Sequence, residues 1–88
     1  MPQYSVRYLR RASKELDKLT PTIATQIVRE IQKLKSDPLG NNCKPLKGFK
    51  GIWRLRVGDY RVIYEIKDSE LIILVVEIGH RREVYRGF

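Results

Sequence analysis

The chain has one cysteine and one histidine in 88 residues. A lone thiol forms no intramolecular disulfide, and a cysteine-based zinc cluster cannot be assembled within one chain, so no metal site is expected and a reducing compartment fits best. Long apolar runs are also missing: the longest, Leu71 to Val76, falls far short of the ~18 to 20 residues that cross a bilayer. The opening MPQYSVRYLRR lacks the apolar stretch of a secretory signal, so a cytoplasmic protein without membrane contact is expected. Acidic residues are scarce. Ten Asp and Glu against 18 Lys and Arg give a net charge of +8 and a pI near 9.9, which points to a polyanionic partner. There is no Walker-type glycine-rich loop, and with one histidine no Ser-His-Asp set is apparent. Cys43, near Pro45 in a turn-rich segment, has no evident partner base to make it a nucleophile.

What is present suffices for one small domain, residues 1–88. Hydrophobic residues make up 42% of the chain, and five tyrosines, two phenylalanines and one tryptophan supply large apolar faces, which disfavours disorder despite the charge. Tyr4, Val6 and Tyr8 alternate with polar neighbours and predict a first strand. Leu9, Ala12, Leu16 and Leu19 then recur at helical spacing. Thr20-Pro21 separates this helix from a second, with Thr20 as N-cap and Pro21 at the first helical position. The second helix is expected to run to about Lys35 on a stripe of Ile23, Ile27, Ile31 and Leu34, widened by Val28. The segment from Asp37 to Gly51 reads as a loop.

From residue 52 the period becomes two. Ile52–Val57 and Tyr60–Lys67 form a hairpin about a Gly58-Asp59 turn. A second turn, Asp68-Ser69, leads into a strand from Glu70 to Ile78, and Glu83 to Arg86 reads as a short extended piece. Trp53, Leu55, Val57, Tyr60, Val62, Tyr64 and Ile66 share one face, which the helical hairpin is expected to cover. The fold class is therefore α+β: an N-terminal strand and an α-helical hairpin packed on one face of a mainly antiparallel sheet of about four strands.

The opposite face carries Arg54, Arg56, Arg61, Ile63 and Glu65. A two-residue turn places Arg56 directly opposite Arg61, and like charges in that relation are destabilising. Such a face is either a solvated surface on which long stems lie over apolar neighbours or an anion site. Upstream, Lys44, Lys47 and Lys50 form a basic loop leading into it, suited to tracking phosphates or simply to solubility. Between Lys44 and Arg61 there are six basic residues and one acid, Asp59. The tail Gly79-His80-Arg81-Arg82-Glu83-Val84-Tyr85 is a second concentration of functional groups. There Gly79 is read as breaking the strand, His80 as either a packing residue or a proton-transfer group, and Tyr85 as either a core aromatic or a site residue.

Three segments together resemble the RelE family, within the wider RelE/ParE toxin superfamily: Lys44-Pro45-Leu46-Lys47-Gly48 leading into Trp53-Arg54-Leu55-Arg56, then Gly58-Asp59-Tyr60-Arg61-Val62-Ile63-Tyr64, then Gly79 to Tyr85. The resemblance implies a toxin of a type II toxin-antitoxin pair, an mRNA interferase that enters the ribosomal A site and cuts mRNA without a metal or other cofactor. It also implies an acidic cognate antitoxin, a toxin-antitoxin hetero-oligomer, and contact with the ribosome and mRNA. The family's site positions fall on Arg54, Arg56, Arg61, Arg81 and Tyr85, with His80 as a further candidate and Lys44, Lys47, Lys50 and Arg82 as RNA contacts. Relatives carry lysine at the positions of Arg54 and Arg56. A guanidinium is a poor proton shuttle, which leaves Tyr85, or failing it His80, to take the proton. The alternatives are a ParE-like DNA gyrase inhibitor without catalysis and a small basic nucleic-acid-binding module.

Overall fold

Two helices are set by the apolar spacing, and their buried side chains sit against a five-stranded sheet. The computed structural model describes residues 3–40 and 42–80. Its elements are β1 (Ser5–Tyr8), α1 (Arg10–Lys18), α2 (Pro21–Lys33), β2 (Cys43–Pro45), β3 (Ile52–Val57), β4 (Tyr60–Lys67) and β5 (Ile72–His80). The strand order is β1-β5-β4-β3-β2. β2 to β5 run antiparallel, while β1 lies parallel to β5, with Ser5 opposite Ile72 and Tyr8 opposite Val75. Among the described residues no helix is long and apolar enough to cross a membrane.

Ala12 of α1 and Ile27 and Ile31 of α2, with Leu34 just beyond it, are buried against Leu55, Val57, Val62, Tyr64, Ile73, Val75 and Ile78. Each fully buried aliphatic side chain in such a layer contributes roughly 1.5–3 kcal/mol of transfer free energy. Tyr64 brings a polar atom into this core and satisfies it by donating its hydroxyl to the Pro38 carbonyl at 2.6 Å. Desolvation pushes its phenol up, and the neighbouring Cys43 thiol adds to the shift.

The helix ends depart from expectation. Thr20 occupies the N-cap position, yet its hydroxyl makes no capping bond; its carbonyl accepts from Ala24 N–H at 2.9 Å, and Pro21 starts the helix without an N–H to satisfy. Leu9 is 39% exposed and precedes α1 rather than joining its buried stripe. The regular helix α2 stops at Lys33, two residues short of the expected end.

The β3–β4 hairpin has the register that a Gly58-Asp59 turn dictates, with Val57 opposite Tyr60 and Arg56 opposite Arg61. Gly58 has φ +58°, a conformation open to glycine at low cost. The next turn is longer than a Gly-type two-residue turn. Lys67 faces Ile72, so residues 68–71 form the connection, and Leu71 closes it with φ +54°.

Three further corrections concern the sheet. Part of the expected basic loop is strand β2, in which Lys44 faces Arg54 and Pro45 faces Trp53. Proline is tolerated there because β2 is an edge strand. Gly79 does not break β5; it pairs with Arg61, and His80 with Tyr60. The register slips between Ile63 and Tyr64, which face Glu77 and Val75 respectively, so Val76 is an extra residue in β5. That bulge lets Val75 and Ile78 both enter the core although they are three residues apart. On the far side of the sheet Leu46, Ile63 and Val76 are buried together beside Ile52 and Leu74. The loop after β2 is thus pinned down by Leu46, whose N–H donates to the Ile52 carbonyl at 2.9 Å. The expected extended piece from Glu83 to Arg86 lies outside the described residues.

Candidate functional site

Strand alternation sends Trp53, Leu55 and Val57 into the core and Arg54 and Arg56 out of the other side. Arg61 joins them from β4 and Lys44 from β2. With Asn42, these four cations line a cleft of about 230 Å³ on the sheet face away from the helices. Arg56 N–H donates to the Asn42 carbonyl at 3.0 Å, extending the β2–β3 ladder by one residue. One row across the sheet therefore reads Asn42, Arg56, Arg61 and Gly79. Gly79 contributes no side chain, so the row is open beside Arg61.

Three of the cleft's charges, Lys44, Arg56 and Arg61, have no acidic partner among the described residues. Arg61 is half-buried and its Nη1 donates to the Tyr60 carbonyl at 3.2 Å and the Gly58 carbonyl at 3.5 Å, bonds that orient the guanidinium and leave its charge intact. Glu65, the acid that sequence alternation places on this face, lies 3.7 Å from Lys67 Nζ instead. Among the described residues neither Arg56, Arg61 nor Lys44 forms an ion pair. Opposed cations of this kind bind anions, and guanidinium forks match phosphate oxygens two at a time.

The structure brings together Lys44, Arg54, Arg56 and Arg61. Lys47 and Lys50 are exposed in the β2–β3 loop and do not line the cleft. His80 stands on the helix side of the sheet, its ring edge-on to Tyr60 with centroids 5.7 Å apart at 78°, so it is separated from Arg61 by the sheet itself. Arg81, Arg82 and Tyr85 lie outside the described residues. Asn42 is the cleft residue that the sequence reading missed; its signal was its place two residues before Lys44, once β2 is known to be a strand. Among the described residues no three His, Cys, Asp or Glu side chains converge as a metal site.

One carboxylate has an unusual setting. Glu77 Oε2 is buried without a hydrogen-bond partner, and the carboxyl is pushed up chiefly by desolvation, with Arg11 pulling it down and Glu15 raising it.

Comparison with known proteins agrees with this architecture. Residues 6–85 match the family described as the ParE toxin of type II toxin-antitoxin system, parDE. The chain is 33% identical to the toxin RelG of Mycobacterium tuberculosis, over 94% of this chain and 97% of that protein. It is 29% identical to the mRNA interferase toxin RelE of Escherichia coli, over 93% and 90% of the two chains. Among solved structures, the toxin-antitoxin complex RelBE2 of Mycobacterium tuberculosis contains a chain that superposes with a TM-score of 0.79 at 32% identity, covering 92% of this chain and all of that one.

Proposed function

Because this chain belongs to the RelE/ParE toxin superfamily of type II toxin-antitoxin systems, we propose that its cationic cleft is the active site of an mRNA interferase that cuts mRNA in the ribosomal A site. The observation that carries the reading is the facing pair Arg56 and Arg61, held opposite each other in the sheet with no ion pair to an acid among the described residues. The similarity to a toxin named as an mRNA interferase supports it.

The reaction needs no redox step. The ribose 2′-OH attacks the adjacent phosphorus, forming the O2′–P bond; the P–O5′ bond breaks, leaving a 2′,3′-cyclic phosphate and a 5′-OH. The 2′-OH proton passes to a base and a proton is delivered to the departing O5′. Arg61 and Arg81 hold the nonbridging phosphate oxygens, whose charge grows in the transition state. Arg54, Arg56 and Lys44 hold the flanking phosphates. Tyr85 takes the proton, since no arginine in the cleft releases one near neutral pH and His80 lies on the other face of the sheet. Lys47, Lys50 and Arg82 extend the positive surface toward ribosomal RNA and mRNA. An acidic antitoxin covering this surface neutralises the toxin.

The test is incubation of the purified chain with programmed ribosomes and with free mRNA. Ribosome-dependent cuts ending in a cyclic phosphate are expected, and intact mRNA in both cases overturns the reading. The matched family's description as ParE toxin favours one competitor, a gyrase inhibitor; loss of supercoiling activity on adding the chain, with mRNA intact, would establish that instead.

A further inference from the structure

We infer that Asn42 reads a base of the RNA next to the scissile phosphate, and so helps to set which codons are cut; the inference rests on the nuclease reading of the cleft. Asn42 is the uncharged side chain among the five that line the cleft. The four cations bind phosphate whatever the sequence, so they supply affinity without discrimination. A carboxamide does the reverse. It neutralises no phosphate, but presents an NH₂ donor and a carbonyl acceptor side by side, the complement of a base edge.

Its position fits that role. Asn42 is two strands from Arg61 along one row, a separation of ~10 Å at the usual spacing between strands, with Arg56 between them. If Arg61 holds the phosphate that reacts, Asn42 lies within reach of a neighbouring nucleotide, on the side where Arg56 holds the backbone. The residue is also held in place. Its carbonyl accepts from Arg56 N–H at 3.0 Å, and the next residue, Cys43, donates its N–H to the Gly40 carbonyl at 3.0 Å while its thiol points into the core side near Tyr64. The peptide that follows Asn42 is therefore fixed through both its carbonyl and its N–H, beside an exposed amide side chain, which is the preorganisation that base discrimination needs. Single-stranded RNA with splayed bases offers its edges to such groups.

The experiment compares the wild-type chain, Asn42→Ala and Asn42→Gln on ribosomes carrying messages that differ only in the A-site codon. Single-turnover rates are measured at saturating toxin. Asn42→Ala is expected to compress the spread of rates among codons by about tenfold, the scale of one lost base contact, with the fastest codons changed far less. Asn42→Gln, which keeps the amide, should retain more of the spread. Neither variant alters net charge, so the salt dependence of ribosome binding should not move. An unchanged codon profile in Asn42→Ala, or a uniform fall at every codon, overturns the inference while leaving the nuclease reading standing. A wild-type chain that cuts no ribosome-bound mRNA overturns the nuclease reading, and this inference with it.

Discussion

Arg56 and Arg61 stand directly opposite each other across the β3–β4 hairpin. Two guanidiniums in that relation repel, and a carboxylate at either position would stabilise the sheet by about 0.2–1 kcal/mol as an opposite-charge cross-strand pair. The hairpin register fixes the two residues as neighbours, because the Gly58-Asp59 turn sets Val57 against Tyr60 and the pairs beyond follow. The sheet thus keeps a local conflict that a ligand carrying negative charge resolves, the pattern expected where function overrides local stability.

Arg56→Glu should therefore raise stability and remove activity at once. An increase of roughly 0.5 kcal/mol is expected, within the range for a cross-strand ion pair, read from the midpoint of urea unfolding. Cleavage on programmed ribosomes should fall sharply in the same protein. A variant less stable than wild type would mean that the facing arginines are not in conflict.

Arg61→Ala and Arg81→Ala are each expected to fold normally and to slow the chemical step by about 10²–10³, the usual effect of deleting one donor to developing transition-state charge. Rates near wild type for both would dismiss the phosphate clamp. Ribosome binding should weaken with salt more steeply in wild type than in either variant, since each removes one phosphate contact.

The sequence was most legible where period and turn agreed. Val57, Gly58, Asp59 and Tyr60 specify both register and face, and every side chain from Trp53 to Ile66 follows. β2 was not legible because Cys43-Lys44-Pro45 has no alternation and contains proline; it is a strand only because β3 offers it an edge. The bulge at Val76 is silent for a similar reason. Ile72 to Val76 is apolar throughout, so no pattern records the place where the period slips. His80 misled by proximity: it adjoins Arg81 in sequence, but alternation after Gly79 turns it toward Tyr60, on the other side of the sheet.

Glu77 gives a stability prediction that depends on pH. Its carboxyl is raised above the ordinary glutamate value, mainly by desolvation, so the folded state binds this proton more tightly than the unfolded chain does. Its contribution is then most favourable below the unfolded pKa, ~4.3, and is lost as pH rises through the higher folded value. Glu77→Gln should be more stable than wild type at pH 7, because the neutral amide carries no charge to be held away from water in that setting. The difference should shrink on acidification toward pH 4. Lost attraction to Arg11 works against the gain, and a Gln variant less stable at pH 7 would show that this attraction dominates.

The proton acceptor is the sharpest test of the proposed chemistry, because arginine stands at positions 54 and 56 and neither side chain sheds a proton near neutral pH. Tyr85→Phe keeps the ring and removes the hydroxyl. If Tyr85 is the base, this variant should bind ribosomes as wild type does and lose most of the chemical step, and the inflection on the basic limb of the rate-pH profile should vanish with it. His80→Ala should be milder, since the imidazole packs edge-on to Tyr60 away from the cleft, and whatever rate it loses should be lost equally at all pH values. The reverse result, normal cleavage by Tyr85→Phe and a dead His80→Ala with its pH inflection abolished, would assign the base to the imidazole and require it to reach the arginine face. Normal cleavage by both variants would leave the arginines acting by charge stabilisation alone, with the proton passing to water, to the RNA or to the ribosome.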